Sequence, residues 1–216
     1  MKGLFGPLTK IITTKELIDR DQVSQLDVRV LSFEYKQEDC KLVSTYKYQE
    51  EIEFLINYEK RNKIIARMAG ELPGNTLVVF NRLVHGQQIF NLLQTKKDKH
   101  YVAGETDKDL RETIRYLTEE NDTVIVASLG VFSTGINIRN LHNLIFAHPT
   151  KSKIKVLQSI GRVLRKADNG RKATVFDIVD NLKYKARDNF VLRHANERIK
   201  FYVDESFNFK ISKLEL

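Results

Sequence analysis

The sequence predicts an α/β fold in which a parallel sheet is flanked by helices and a long C-terminal helix packs back on the sheet. Short apolar segments of strand length alternate with longer segments whose apolar residues recur at every third or fourth position. Turn-forming pairs such as Pro73-Gly74 and Asn169-Gly170 separate these segments. Strands and helices that alternate in this way form parallel sheets covered by helices on both faces.

The first third of the chain is predicted to contain one strand, one loop and one long helix. Val28 and Val30 alternate with polar neighbours, which predicts a strand over 27–35. The polar stretch 36–47 is predicted to be an exposed loop. Apolar residues repeat at spacings of three and four over 48–72, which predicts a single helix there.

Strands and helices then alternate regularly up to the C-terminal helix. The predicted strands are 76–80, 100–103, 123–127, 143–147 and 173–179, and the predicted helices are 83–93, 107–119, 152–165 and 185–207. The helix over 107–119 follows Thr106 as its N-cap, with Asp109 three residues later, which is a capping-box pattern.

Composition narrows the class of protein. Among 216 residues, 42% are hydrophobic, and the longest apolar runs are four residues, whereas a membrane-spanning helix needs about 20. The start of the chain has no secretory pattern, and the single Cys40 excludes an internal disulfide and a cysteine-based zinc site. We therefore expect a cytoplasmic protein with no membrane association.

Positive charge is concentrated in one stretch of the chain. The formal net charge is +8, from 36 basic and 28 acidic residues. The stretch Lys151–Lys172 contains eight basic residues and a single acidic residue, Asp168. A basic surface of this kind allows nucleic-acid binding.

Two arginines lie on the polar side of the helix predicted within this stretch. At about 100° per residue, Gln158, Arg162 and Arg165 fall on one side, and apolar residues fall on the opposite side. Like charges at this spacing repel each other unless an anion lies between them, and guanidinium groups suit phosphate oxygens well. From this helix alone, a phosphate site and a solvated basic face are equally good interpretations.

Candidate binding residues follow three of the predicted strands. In open parallel sheets, ligands bind outside the carboxyl ends of the strands. Glycines and small hydroxyl residues at these ends let a sugar-phosphate chain approach the backbone closely. The candidates are Phe80, His85 and Gly86 after the first of these strands, Gly104 and Thr106 after the second, and Ser128, Thr134, Gly135 and Asn137 after the third. Taken singly, each is better explained as a turn or a helix cap.

Taken together, these residues resemble the motifs of a known family. Four groups of residues resemble, in order and spacing, the motifs of the second RecA-like lobe of superfamily-two helicases. They are Phe80 with His85-Gly86, Gly104-Glu105, Ser128 with Ser133-Thr134-Gly135, and Gln158-x-x-Gly161-Arg162-x-x-Arg165. The resemblance extends over nearly the whole chain. It implies an inter-lobe linker and strand extension over 1–47, a RecA-like lobe over 48–182 and a C-terminal helical extension over 183–216.

The resemblance also implies a role for each candidate. In this family ATP binds between two lobes, so Arg162 and Arg165 would act as arginine fingers on the γ-phosphate, helped by Gln158. The implied ATP contacts are Gly135, Asn137 and Gly161. The implied nucleic-acid contacts are Phe80, His85, Gly86, Gly104, Thr106, Ser128 and Thr134. At the position of Asn137, related proteins often carry an acidic residue that touches the ribose. The asparagine in this sequence can still form hydrogen bonds.

The same resemblance implies that this chain is half of an ATPase site. The Gly-x-x-x-x-Gly-Lys-Ser/Thr loop, the usual cradle for phosphates and Mg²⁺, is absent from the sequence. We therefore expect ATP and Mg²⁺ as cofactors, with the Mg²⁺ ligands on an N-terminal RecA-like lobe and no metal site in this chain. The expected partners are that lobe, DNA and RNA–DNA hybrids. Branched DNA is the expected substrate, and this chain alone is expected not to hydrolyse ATP.

Two alternatives stay open, and two other classes are disfavoured. A translocase lobe of a restriction enzyme shares much of this motif set. A non-enzymatic nucleic-acid-binding domain with a helicase fold would be indicated by loss of the arginines at 162 and 165, and both are present here. A Rossmann oxidoreductase needs Gly-x-Gly-x-x-Gly after its first strand, which is absent. A nuclease needs clustered carboxylates, and we interpret Asp177 and Asp180 as loop or helix-start charge and Asp204-Glu205 as surface charge.

Overall fold

Seven parallel strands form one sheet in the computed structural model, which describes residues 26–104, 106, 116, 122–134, 140–148 and 173–216. The strands of this described part are β1 (Leu26–Glu34), β2 (Asn75–Phe80), β3 (Asp98–Val102), β4 (Thr123–Ser128), β5 (Leu141–Phe146), β6 (Ala173–Asn181) and β7 (Asn208–Glu215). Its helices are α1 (Gln37–Val43), α2 (Tyr48–Asn57), α3 (Glu59–Glu71), α4 (Leu83–Leu92), α5 (Leu129–Thr134) and α6 (Phe190–Asp204). None of these described helices is long and apolar enough to cross a membrane.

The strands lie in the order β3-β4-β2-β5-β6-β1-β7, and every neighbouring pair is parallel. Strands β2 and β5 are buried along their whole length, because central strands of a parallel sheet are covered on both faces. One apolar cluster lies on each face, with Leu77 and Leu144 in the first and Val78 and Ile145 in the second. The predicted α/β fold with a parallel sheet is confirmed.

Residues 37–43, predicted to lie in an exposed loop, form helix α1 instead. Cys40 and Val43 are three residues apart and are both buried on the core side of this helix. The Cys40 thiol donates a weak hydrogen bond to the carbonyl oxygen of Tyr35 at 3.7 Å. The loop prediction was wrong because two apolar residues in a seven-residue helix produce almost no periodic signal among polar neighbours.

Tyr58 divides the single helix predicted over 48–72 into α2 and α3. Its ψ of 98° is extended, so the backbone leaves the helical conformation for one residue. The Tyr58 ring packs edge-on against Tyr35, with 5.0 Å between ring centroids, and its hydroxyl donates to Asp39 Oδ2 at 2.9 Å. The apolar spacing could not indicate this break, because spacings of three and four continue on both sides of it.

The C-terminal part packs back on the sheet, as predicted, but it ends in a strand. Helix α6 begins at Phe190 and ends at Asp204, inside the predicted range 185–207. Ser206 adopts a positive φ of 57°, and the chain then enters β7, which pairs with β1. The sheet therefore takes strands from all three segments implied by the resemblance, and the boundaries of those segments stay a prediction.

Glu51 of α2 anchors the first turn of α6. Its buried carboxylate accepts hydrogen bonds from the backbone amides of Phe190 and Val191 at 2.9 and 2.8 Å, and from Asn189 Nδ2 at 2.8 Å. Amides at the start of a helix have no partner within the helix, and a carboxylate complements the positive end of its dipole. At the other end of α6, Glu205 is buried, so its interpretation as surface charge was wrong.

Candidate functional site

The carboxyl ends of β3, β4, β2 and β5 lie side by side at one edge of the sheet. Phe80 at the end of β2 pairs with Ser128 at the end of β4, and Val102 of β3 pairs with the residue before Ser128. On the other side of β2, Phe146 of β5 pairs with the residue before Phe80. Because these strands are parallel, the residues that follow them are gathered at this one edge, which we call the carboxyl edge.

Three of the predicted nucleic-acid residues lie at or near the surface of the carboxyl edge. Gly104 is exposed, and the space that a Cβ would occupy is open. Thr106 closes a tight turn, because its Oγ1 accepts a hydrogen bond from Ala103 N at 2.9 Å and its amide donates to Ala103 O at 3.1 Å. Ser128 is half-buried, and its Oγ accepts a hydrogen bond from Val131 N at 3.4 Å.

Phe80, His85 and Gly86 lie beneath the same edge and are buried. The Phe80 ring stacks on Tyr101, with 5.5 Å between ring centroids and 11° between ring planes. A Cβ on Gly86 would lie 2.4 Å from the Phe80 ring, so only glycine lets α4 approach the strand this closely. In this structure the three residues support the edge from below, and the side chains of Phe80 and His85 do not reach its surface.

Arg61 of α3 lies at the centre of a buried polar cluster under the carboxyl edge. Its Nε and Nη2 donate to the two carboxylate oxygens of Asp180 at 2.8 and 3.1 Å, and Nη2 also donates to the carbonyl oxygen of Ala147 at 2.7 Å. Arg61 Nη1 lies 3.3 Å from His85 Nε2, and Tyr35 donates its hydroxyl to Asp180 Oδ1 at 2.8 Å. The cluster therefore joins the ends of β5 and β6 to the first turn of α4.

Burial and the charge of Arg61 keep His85 and the neighbouring buried His148 neutral. Desolvation, followed by the nearby Arg61 charge, lowers the pKa of His148 to about 4 and the pKa of His85 well below its usual range. Desolvation opposes the charge of Arg61 itself, but the interactions with Asp180 and Tyr35 together outweigh it, and the pKa of Arg61 is raised. At neutral pH the cluster thus contains one buried ion pair and two uncharged imidazoles.

Asp177 and Asp180, interpreted from the sequence as loop or helix-start charge, are instead buried residues of β6. They are three residues apart in a strand, so their side chains point to opposite faces of the sheet. Asp180 pairs with Arg61 on one face, and Asp177 pairs with Arg198 of α6 at 2.8 Å on the other. Asp177 also accepts a hydrogen bond from the Tyr202 hydroxyl at 2.9 Å, which repeats the tyrosine contact of the other pair.

The sequence contained a signal for both ion pairs. Asp177 and Asp180 interrupt an apolar run of strand length, and Arg61 and Arg198 occupy core-facing positions of amphipathic helices. A carboxylate in a buried strand requires a buried cation, so each aspartate predicts an arginine on a covering helix. The choice of arginine for each aspartate depends on which helix covers which face.

An open groove of about 460 Å³ lies between the outer side of α4 and the end of β3. Leu83 and Val84 line it and are 54% and 62% exposed, and Gln87 and Tyr101 contribute polar groups. The groove reaches Ala103, one residue before the exposed Gly104. Apolar surface beside amide groups suits the flat faces and polar edges of nucleobases.

The predicted ATP contacts lie outside the described residues. These are Gln158, Gly161, Arg162 and Arg165, together with Gly135 and Asn137. The side chain of Thr134, the helix predicted over 152–165 and most of the helix predicted over 107–119 also lie outside them. The roles of these residues stay predictions.

Comparison with known proteins identifies the family. Residues 59–167, half of the chain, match the family model described as the helicase conserved C-terminal domain. The chain belongs to the helicase conserved C-terminal domain family. The matched range begins with the first residue of α3 and contains both Gly104 and Ser128 of the carboxyl edge. The resemblance to the second lobe of superfamily-two helicases is confirmed.

A phage helicase is similar to this chain, and the similarity extends over almost the whole length of this chain. The ATP-dependent DNA helicase UvsW of Enterobacteria phage T4 is 39% identical over 229 aligned residues, which cover 99% of this chain and 46% of UvsW. The crystal structure of T4 UvsW superposes with a TM-score of 0.78 and 38% identity, over 89% of this chain and 42% of that chain. The RecA-like fold implied by the sequence motifs is therefore confirmed.

Two further proteins share less of their sequence with this helicase domain. The putative ATP-dependent RNA helicase L396 of Acanthamoeba polyphaga mimivirus is 26% identical over 72% of this chain and 31% of L396. The DNA-bound restriction-modification enzyme LlaBIII matches with a TM-score of 0.66 and 15% identity, over 99% of this chain and 17% of that chain, which shows a shared fold. The chain spans less than half the length of UvsW and L396.

Proposed function

We propose that this chain is the second lobe of an ATP-dependent DNA helicase that acts on branched DNA, in recombination, replication-fork repair or the removal of R-loops. The observation that best supports this proposal is the 39% identity to UvsW, named as an ATP-dependent DNA helicase, over 99% of the chain. The proposed site of action is the cytoplasm, which is the host cytoplasm if a phage encodes the chain.

In this proposal the chain supplies one wall of an ATP cleft. Arg162 and Arg165 contact the γ-phosphate as arginine fingers, and Gln158 orients the nucleotide or the attacking water. An arginine of this kind stabilises the charge that develops during phosphoryl transfer and contributes about 10³–10⁵ in rate. The other proposed ATP contacts are Gly135, Asn137 and Gly161.

The nucleic-acid strand is proposed to cross the carboxyl edge of the sheet. The exposed backbone at Gly104, the turn closed by Thr106 and the hydroxyl of Ser128 offer small polar groups to phosphates, and Thr134 extends this set. The groove beside α4 receives bases, and the buried residues Phe80, His85 and Gly86 support the edge from below. We expect binding that is independent of sequence and sensitive to salt.

Mg²⁺ is proposed to be held by the first lobe. Within the described part of the chain, no three His, Cys, Asp or Glu side chains are grouped so that they could hold a metal ion. The two buried aspartates of β6, Asp177 and Asp180, are each paired with an arginine. When bound, Mg²⁺ neutralises charge on the β- and γ-phosphates. The contribution of this chain is the arginine pair and the strand contacts.

Joining this chain to a first lobe tests the proposal. The matching half of T4 UvsW is replaced by this chain, and ATP hydrolysis by the chimaera is measured with and without forked DNA. We expect DNA-stimulated hydrolysis and strand separation by the chimaera, and weak DNA binding with essentially no hydrolysis by the 216-residue chain alone. Substantial ATPase activity of the chain alone would contradict the proposal.

The arginine-finger assignment is tested within the same chimaera. Arg165→Ala is expected to lower kcat by about 10³ or more and to leave DNA affinity unchanged, because the finger acts on the transferring phosphoryl group. Arg171→Ala is the matched control, since it removes the same charge from the same basic stretch outside the Gln-x-x-Gly-Arg-x-x-Arg motif. ATPase activity that survives Arg165→Ala would make the assignment wrong.

A DNA translocase of the restriction type is the second candidate, because LlaBIII shares the fold over 99% of the chain. A translocase displaces a triplex-forming oligonucleotide from duplex DNA without separating the strands, whereas a helicase separates a forked duplex. RNA–DNA hybrids belong in the same assay, because L396 is named as an RNA helicase. Absence of hydrolysis with every first lobe would favour the non-enzymatic nucleic-acid-binding domain.

A further inference from the structure

We propose that Arg61 is a positioning residue for the candidate site, because its guanidinium holds the ends of β5 and β6 and the first turn of α4 in one arrangement. Arg61 is completely buried and belongs to none of the motifs that indicate a helicase. The kinetic consequence of this role rests on the proposed function. The structural consequence does not, so the two can be tested separately.

The hydrogen-bonding fork of Arg61 is divided among three elements. It donates to both carboxylate oxygens of Asp180 in β6 and to the carbonyl oxygen of Ala147 just beyond β5, and its third nitrogen faces His85 of α4. The N–H groups of a guanidinium point in fixed directions within one plane, so these partners are satisfied together in only one arrangement of the three elements. A partner left unpaired at this depth is costly, and this cost opposes any movement of one element relative to the others.

Ala147 is the point through which Arg61 reaches the candidate site. Its amide donates to the carbonyl oxygen of Val79 in β2 at 3.1 Å, and its own carbonyl oxygen accepts from Arg61 at 2.7 Å. Ala147 is therefore held from both sides just beyond the end of β5, at the carboxyl edge that forms the described part of the candidate site. Groups of a functional site need placement to within about 0.5 Å, so we expect a displacement of this edge to lower turnover.

Arg198 provides a matched control within the same strand. It is buried, donates to both carboxylate oxygens of Asp177, and shares that aspartate with the Tyr202 hydroxyl. Among the described residues, its bonds to Asp177 and to the carbonyl oxygen of Ile178 end on β6, and the Arg198–Asp177 pair lies on the opposite face of the sheet from Arg61. Arg198→Lys therefore disturbs a buried ion pair of the same kind without disturbing the Ala147 contact.

Amide hydrogen exchange of the 216-residue chain tests the structural part. Lysine ends one bond short of the terminal guanidinium nitrogens and carries a single nitrogen, so in Arg61→Lys the ammonium cannot take the Nη2 position that bonds both Asp180 and Ala147 while also facing His85. We expect the amides of residues 81–88 and of Ala147 to exchange about tenfold faster in Arg61→Lys than in Arg198→Lys, at urea concentrations that equalise global stability. Equal exchange at these amides in the two variants would overturn the proposal.

Turnover of the UvsW chimaera tests the functional part. We expect Arg61→Lys to lower kcat about tenfold, with unchanged KM for ATP and unchanged DNA affinity, and Arg198→Lys to change kcat less than twofold. If Arg165→Ala abolishes turnover while Arg61→Lys leaves it unchanged, the positioning role is wrong and the proposed function stands. If the unsubstituted chimaera hydrolyses no ATP, the proposed function fails, and the exchange measurement still decides the structural part.

A milder pair of variants covers the case in which Arg61→Lys does not fold. Tyr35→Phe and Tyr202→Phe each remove one hydroxyl that donates to a β6 aspartate, at 2.8 and 2.9 Å respectively, and each retains the arginine. We expect Tyr35→Phe to raise exchange at Ala147 and to lower kcat several-fold, and Tyr202→Phe to do neither. The same response to both substitutions would overturn the positioning role.

Discussion

Replacement of Gly86 by alanine tests whether this residue is retained for packing. An added Cβ would lie 2.4 Å from Phe80 Cε1 and 2.5 Å from two further ring atoms. Phe80 cannot easily move away, because its ring is completely buried and stacks on Tyr101. Ordinary carbon–carbon contacts are about 3.5–4.0 Å, so the ring or helix α4 must shift by about 1 Å.

The expected loss of stability follows from two opposing terms. Overpacking of a well-packed core costs up to about 3 kcal/mol, and alanine gains about 1 kcal/mol over glycine within a helix. We therefore expect Gly86→Ala to lower the free energy of unfolding by about 2 kcal/mol. With a urea dependence of about 2.5 kcal/mol per molar, this corresponds to a midpoint lower by about 0.8 M.

Gly130 of α5 is the matched control, because no atom would crowd an added Cβ there. Urea unfolding followed by circular dichroism should show Gly130→Ala to be neutral or stabilising by about 0.5 kcal/mol. In a Phe80→Leu background the ring is gone, and Gly86→Ala should no longer destabilise the protein. The packing argument is refuted if Gly86→Ala and Gly130→Ala have the same effect in the wild-type background.

Three further predictions concern a histidine, a helix anchor and a thiol. The pKa of His148 is about 4 in the folded protein and 6.5 in the unfolded chain, so the unfolded chain binds more protons between these values. Between pH 7 and pH 4 the protein should therefore lose about 3 kcal/mol of unfolding free energy through His148. Urea titrations of His148→Gln should show a smaller loss, and an unchanged pH slope would contradict this assignment. Glu51→Ala leaves the amides of Phe190 and Val191 without their carboxylate partner and should lower the free energy of unfolding in urea by about 3 kcal/mol. Glu53 in the same helix is exposed, so Glu53→Ala should lower it by less than about 0.5 kcal/mol. Similar losses in the two variants would argue against the anchor. Cys40 is buried, and desolvation raises the pKa of its thiol. A thiol-specific chromogenic reagent should therefore react with Cys40 about 100-fold more slowly in native buffer than in urea. Equal rates would show that α1 does not protect this thiol.

The central strands of the sheet were accessible to prediction because they are buried on both faces. Such strands read as uninterrupted apolar runs, so the strands that include Phe80 and Ser128 could be placed to within one residue at each end. The same signal was absent where polar residues surround a few buried ones. Helix α1 was missed for this reason, since only Cys40 and Val43 face the core.

Whether each candidate residue is buried or exposed could not be predicted from its motif. The motif pattern grouped Phe80, His85 and Gly86 with Gly104 as nucleic-acid residues, but only Gly104 is exposed at the carboxyl edge. Sequence spacing places residues along the chain and on one edge of a parallel sheet. It does not say whether a side chain points away from the edge or into the core beneath it, because that depends on the helix packed below.

The amino-acid sequence by itself determined that this chain is a parallel α/β domain and a member of a helicase family. Both conclusions rest on local information, namely apolar periodicity and the spacing of short motifs. Only the tertiary structure decided that Arg198 is the partner of Asp177 and that Arg61 is the partner of Asp180. The physical reason is that an ion pair in the core is defined by which helix covers which face of β6, and Arg61 and Asp180 are 119 residues apart in the chain.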